Sequence, residues 1–238
     1  MKIDIIGQGN VGTHLADALD EYADVCRVNS RTLQELRSGS DVYFICVKDD
    51  CIRDVAANVC KRIKSAPLLL HCSGSQPFSI LSEFSEKTGV FYPLQTFSKE
   101  REIDFKEVPV FIEGSTEKIE DTLADIAETL GCQYRRLNSS DRKNLHIGSI
   151  FACNFVNHLW TLADEFLKAK NIPFEVLHPL INETVKKLAT LSPQDAQTGP
   201  AKRNDREVIE SHLQNLSALP DLQSIYQTLT ESIIKHYN

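Results

Sequence analysis

Three glycines near the start of the chain, Gly7, Gly9 and Gly12 in "IGQGNVGTHL", stand at the G-x-G-x-x-G spacing. At this spacing the first glycine allows a tight turn and the second lets backbone approach a pyrophosphate. The third lets a helix pack closely on a strand. The loop Gly7, Gln8, Gly9, Asn10, Val11 and Gly12 would then turn its amides and a helix N-terminus toward negative charge. The pattern is weak alone. Here it follows the apolar run "KIDIIG" and opens a segment with apolar residues at helical spacing, so nucleotide binding is expected. A tight strand–helix turn without a ligand is the alternative. An NTPase phosphate loop is excluded, because Thr13 and His14 follow Gly12 where lysine and then serine or threonine are needed.

About 20 residues further on, a dinucleotide fold reads the ribose, and an Asp or Glu there holds the hydroxyls of NAD. The second apolar run, "DVCRV", instead leads into Asn29, Ser30, Arg31 and Thr32. A carboxylate would repel a 2′-phosphate, whereas a guanidinium flanked by hydroxyls would hold one. The expected cofactor is therefore NADP. An exposed turn that happens to contain an arginine is the plainer reading.

These residues need a scaffold. The strand-like runs "DVYFICV", "PLLLHCS", "GVFYPL", "VPVFIEG" and "CQYRRLN" alternate with helical patterns. The latter are "CIRDVAANVCKRI", "PFSILSEFSEKT" and "STEKIEDTLADIAETLG", with "TLQELRSG" a short helix or turn. Such alternation predicts an α/β domain, a doubly wound and mainly parallel sheet covered on both faces. From Ser139 onward no convincing strand is found. Two domains are expected, residues 1–138 for the cofactor and an all-α domain, 139–238, for substrate and dimerisation. The stretch from about 144 to 170 is apolar on nearly every side and predicts a buried central helix. The rest of one chain offers too little to cover it, so a homodimer through the helical domain is expected. Pro173 suits a first helical turn, Asn204 with Glu207 spells a capping box, and a last helix is expected from Asp221 to about Tyr237.

The totals narrow the class. A net charge of −7 over 238 residues argues against a general nucleic-acid binder. No apolar run approaches the roughly 18 residues of a membrane span, and no signal peptide is read, so a cytoplasmic protein is expected. Seven cysteines without a CxxC pair do not make a disulfide framework. Cys46, Cys72 and Cys153 read as small buried thiols. No metal-ligand spacing is found among the histidines.

Taken together, "IGQGNVGTHLADAL", "DVYFICVKDDCI", "HCSGS", "FYPLQTFS", "NLHIGSIFACNF" and "TGPAKRND" make the chain resemble the DUF2520 group. These proteins join a Rossmann-like domain to a helical one and are relatives of pyrroline-5-carboxylate reductase, ketopantoate reductase and the β-hydroxyacid dehydrogenases. The resemblance implies an NADP-dependent oxidoreductase moving a hydride to or from a small polar, carboxylate-bearing substrate. It places Val47, Lys48 and Asp49, and likewise Cys72 and Ser73, beside the ribose and nicotinamide. Strand ends do line the ligand crevice of an open α/β sheet. Ser73, Gly74, Gln95 and Arg203 are the candidate substrate contacts. The lysine and asparagine set four apart in the related dehydrogenases are absent. His146 is the candidate proton donor by its titration range, with Asn154 orienting the substrate. Both could equally be satisfied core polar groups. One departure is noted: Arg203-Asn204-Asp205 stands where Arg-Gly-Asp is expected. The rival function is a non-catalytic NADP(H)-binding sensor or regulatory protein.

Overall fold

The computed structural model describes residues 1–63 and 66–237. Contacts divide it into two compact units, Met1–Asn154 and Phe155–Asn238. The first contains β1 (Lys2–Ile6), α1 (Asn10–Leu19), β2 (Asp24–Val28), β3 (Val42–Ile45), α2 (Ile52–Arg62) and β4 (Leu68–His71). It continues through β5 (Thr88–Pro93), β6 (Val110–Gly114), α3 (Glu117–Thr129), β7 (Tyr134–Arg136) and α4 (Ser139–Ser149).

Among the described residues seven strands form one sheet in the order β2-β1-β3-β4-β5-β6-β7. Neighbours are parallel except β5 and β6. The carboxyl ends of β1 to β5 therefore share one edge. The chain reverses its direction of growth between β1 and β3, which makes a crevice at that edge. Both faces of the sheet are covered, which is why the central strands read as unbroken apolar runs. Leu15 and Leu19 of α1 and Leu123 and Ile126 of α3 pack with Ile3, Ile5, Phe44 and Phe91. On the other face, Val55 and Val59 of α2 pack with Ile6, Tyr43, Ile45 and Leu69. Asp4 is buried within β1, its carboxylate held by Arg37 and by the Ser40 hydroxyl.

Of the two readings of "TLQELRSG", the turn holds, with Leu33 at φ 53°. Two local expectations change. "PFSILSEFSEKT" is no helix beyond a short 3₁₀ turn, Phe78–Leu81. One serine side chain competes with helix formation: the Ser85 hydroxyl donates to the Pro67 carbonyl and accepts from the Lys87 amide. The joint was expected at 138, yet contacts group residues 139–154 with the sheet. The Asn138 side chain caps α4, and Ser139 and Arg142 both bond Glu113 of β6.

A π-helical turn, Ile150–Asn154, ends the first unit. The second unit contains α5 (Phe155–Lys168), α6 (His178–Lys187), the short α7 (Pro193–Ala196), α8 (Arg206–Asn215) and α9 (Pro220–Tyr237). The single buried helix expected over 144–170 is thus interrupted, and α5 buries none of its residues within the chain. Apolarity was legible there, but the described residues leave α5 half-buried at most. Cys153, expected to be buried, is exposed. The capping box is also corrected. Asn204 lies at φ 52°, outside the helix, and Asp205 takes the cap position without a side-chain bond. Among the described residues no helix is long and apolar enough to cross a membrane.

Candidate functional site

The glycine loop joins β1 to α1 at the crevice edge. Gly7 has φ 112°, and a Cβ there would lie 2.3 Å from the Cys46 carbonyl oxygen. A Cβ on Gly12 would lie 2.1 Å from the Gly7 oxygen. A Cβ on Gly9 would meet nothing within 4 Å, and Gln8, Gly9 and Asn10 are exposed. Two glycines are thus required by packing, while the third keeps the approach to the helix N-terminus open. That end carries no acidic residue in its first turn and no side-chain cap, so its amides remain available to an anion. The Asn10 side chain is engaged elsewhere, donating to the Phe97 carbonyl at 2.8 Å.

At the end of β2, the Asn29 side-chain oxygen accepts from the amides of Arg31 and Thr32 at 2.9 and 3.4 Å. This turn holds Asn29, Ser30, Arg31 and Thr32 in one bend, with Arg31 exposed. An acid does reach the neighbourhood, from a position sequence spacing did not indicate: Glu35 accepts from the Asn29 amide at 3.3 Å.

The remaining expected residues gather at the ends of β3, β4 and β5. Cys46 and Cys72 face one another with sulfurs 3.5 Å apart. That hydrogen bond, with burial, holds the Cys72 thiol well above its ordinary range. After β3, Val47 is half-buried, Lys48 exposed, and Asp49 accepts from the Ser75 hydroxyl. The Ser73 hydroxyl oxygen accepts from the amides of Ser75 and Gln76 at 3.1 and 3.0 Å, which fixes the loop. Gly74 abuts two aromatic rings, since a Cβ there would lie 2.7 Å from Tyr92 and 2.8 Å from His146. Tyr92 Oη and His146 Nδ1 are 3.1 Å apart. His146 of α4 therefore sits against the Ser73–Gly74 turn, half-buried rather than enclosed.

Behind this turn lies a buried polar row that sequence reasoning missed. Sheet register aligns His71, Val90 and Glu113. Arg142, fully buried, pairs with Glu113 and donates to the Gln76 carbonyl at 2.6 Å. His71 Nδ1 accepts from the Ser73 amide at 3.1 Å, and its Nε2 lies 3.3 Å from the Pro77 carbonyl. Burial first, and then the nearby Arg142 charge, lower the His71 pKa to about 4. The signal for His71 and Tyr92 was present in the quoted "HCSGS" and "FYPLQTFS". Arg142, in a polar stretch, carried none.

Gln95 is exposed and bonds only its neighbour Thr96 among the described residues. Asn154 is exposed in the π-turn, whose extra residue per turn breaks the helical phase that linked it to His146. Arg203, in the second unit, is exposed with Nη2 3.8 Å from the Asp205 carboxylate.

The sheet order, the glycine loop at the switch point and the helical region that follows define a Rossmann-like α/β protein. The family model described as Domain of unknown function (DUF2520) matches residues 108–233, and the chain belongs to that family. A Bacteroides fragilis protein carrying the provisional name NADP oxidoreductase is 36% identical, with 98% of each chain covered and a TM-score of 0.92. The 1-pyrroline-5-carboxylate reductase of Streptococcus pyogenes shares the fold at 13% identity, covering 99% of this chain and 98% of that one with a TM-score of 0.65. An imine reductase from Myxococcus stipitatus, solved with NADP+, does so at 14% identity, covering 99% and 92% with a TM-score of 0.63. No curated protein matches the chain.

Proposed function

We propose that the protein is an NADP-dependent oxidoreductase acting on a small polar, carboxylate-bearing substrate. One observation carries the reading: His146 is set against the Ser73–Gly74 turn, at the same sheet edge as the glycine loop. The Bacteroides fragilis relative's name and the NADP+ bound to the imine reductase support the cofactor. The open approach at Gly9 and the uncapped start of α1 fit a pyrophosphate. Arg31 fits a 2′-phosphate. When bound, the nicotinamide supplies the hydride. Val47, Lys48, Asp49, Cys72 and Ser73 would border the ribose and ring. Ser73, whose oxygen accepts from two amides and lies 3.5 Å from the Ser75 hydroxyl, holds the turn against which the substrate would sit. His146 delivers a proton from Nε2 to the substrate's heteroatom. We also propose a homodimer through the second unit, which exposes Trp160, Leu180, Val185 and Leu188.

The test is NADPH binding by fluorescence, followed by a screen of keto and imino acids for NADPH oxidation. His146→Ala is expected to lower turnover by about a hundredfold or more while leaving NADPH affinity within about twofold. Tight NADPH binding with no oxidation by any member of the screen would favour the sensor instead.

A further inference from the structure

The segment that leaves β5 at the crevice edge is tied to the helix that follows the glycine loop. The Asn10 side chain donates to the Phe97 carbonyl at 2.8 Å. The His14 ring lies between two carbonyl oxygens, 2.8 Å from that of Asn10 through Nδ1 and 2.8 Å from that of Arg101 through Nε2. Helical side chains lean toward the N-terminus, so this ring sits over the first turn of α1. It also meets the Phe97 ring, with centroids 5.2 Å apart, and Phe97 packs beside the buried Phe105. Residues 97–101 thus form a strap along the first turn of α1, beside the glycine loop.

The strap brings charge to that helix end. Glu100 is turned back on the strap, its carboxylate accepting from the Ser98 hydroxyl. The Arg101 amide donates to the Ser98 carbonyl at 3.1 Å, which closes a turn with Arg101 at its end, next to α1. The Arg101 guanidinium is exposed and has no hydrogen bond or ion pair among the described residues. Two positive groups then lie close together, the amides that open α1 and a guanidinium, in a chain of net charge −7. No acidic residue in the first turn of α1 offsets them. One imidazole and its two hydrogen bonds separate the Arg101 carbonyl from that of Asn10, and an arginine side chain spans a comparable length.

We propose that Arg101 is a further cofactor-binding residue, its guanidinium taking the diphosphate of NADP(H) from the strap while the glycine-loop amides take it from the other side. The side chains of Asn10 and His14 are positioning groups that hold the strap in place. This rests on the reading of the glycine loop as an NADP site. A guanidinium offers paired N–H groups to phosphate oxygens. The diphosphate is common to NADPH and NADH, whereas the 2′-phosphate assigned to Arg31 belongs to NADPH alone. The two arginines are therefore separable by the choice of cofactor.

Fluorescence titration of the full chain with NADPH and with NADH separates them. Arg101→Ala, a surface change, is expected to weaken both cofactors by about tenfold or more, leaving their ratio within about twofold. Arg101→Lys keeps the charge and loses less. In a His14→Ala background the strap is no longer held, and Arg101→Ala is expected to cost less than about twofold further. Unchanged affinities in Arg101→Ala, or a loss confined to NADPH, would overturn the proposal. So would a loss of full size that persists with His14→Ala; if that background does not fold, the single Arg101 variant decides. A wild-type chain that binds neither cofactor refutes the cofactor reading and this contact with it, whereas wild-type binding that ignores Arg101 refutes the contact alone.

Discussion

Arg31 and Glu35 bring opposite charges to the end of β2, and cofactor choice follows from which one a ligand meets. The guanidinium is exposed on the bend made by Asn29, whereas the carboxylate is engaged by the Asn29 amide. A charge-assisted bond contributes about 1.5–3 kcal/mol, so Arg31→Ala is expected to reduce the preference for NADPH over NADH by tenfold or more. Glu35→Gln removes a like charge and should tighten NADPH modestly. Fluorescence titration with both cofactors checks each variant; equal affinities in the wild type would refute the role of Arg31. His71 makes a different prediction. In the unfolded chain its imidazole protonates near 6.5, but in the folded protein only near 4. Between these values the unfolded state holds the extra proton. Stability is therefore full above about pH 6.5 and falls as the pH drops to 4, by about 3 kcal/mol in all, with no further loss from this group below. Urea denaturation across that window should show the slope, and His71→Asn should flatten it.

Among the elements, those with a strong local signal were legible. The inner strands β1, β3, β4, β5 and β6 correspond to apolar runs, because a strand buried on both faces needs no partner pattern to identify it, whereas the edge strand β7 carries two exposed arginines. The loop at 203–205 shows sequence and backbone agreeing in a less obvious way. Asn204 occupies the glycine position of the family pattern and lies at φ 52°, a conformation that asparagine tolerates better than other side chains. Asn204→Gly is expected to be nearly neutral, while Asn204→Ala costs about 1 kcal/mol, as measured by urea denaturation. What was not legible depended on competition or on distance. The Ser85 hydroxyl bonds the backbone where a helix was expected, and no period reveals that. The π-turn at 150–154 shifts the phase by which Asn154 was paired with His146. His71, Glu113 and Arg142 meet only through sheet register and the docking of α4, which a single sequence does not encode locally.

For the molecule as a whole, the exposed apolar surface of the second unit is the feature to explain. Besides the side chains already named, α5, α8 and α9 form an apolar groove of about 490 Å³ lined by Leu162, Phe166, Leu222 and Ile225. A second copy covering such surface links folding to association, so the midpoint of thermal unfolding should rise with protein concentration. Sedimentation at micromolar concentration is expected to show a dimer. A stable monomer there would mean that the apolar character of α5 has another purpose.

The pairing of Arg142 with Glu113 also determines where the chain can be cut. A fragment ending at residue 138 retains every strand but strands the Glu113 carboxylate without its cation. One ending at 154 retains the pair, the α4 cap and the bond to Gln76. Removing one partner of a buried pair typically costs about 3–5 kcal/mol, a large share of a domain's stability. The shorter piece should therefore be recovered largely in inclusion bodies and the longer one as folded protein. In gene engineering terms, the permissible seam for domain exchange within the family lies after α4, although the change in sequence character comes before it.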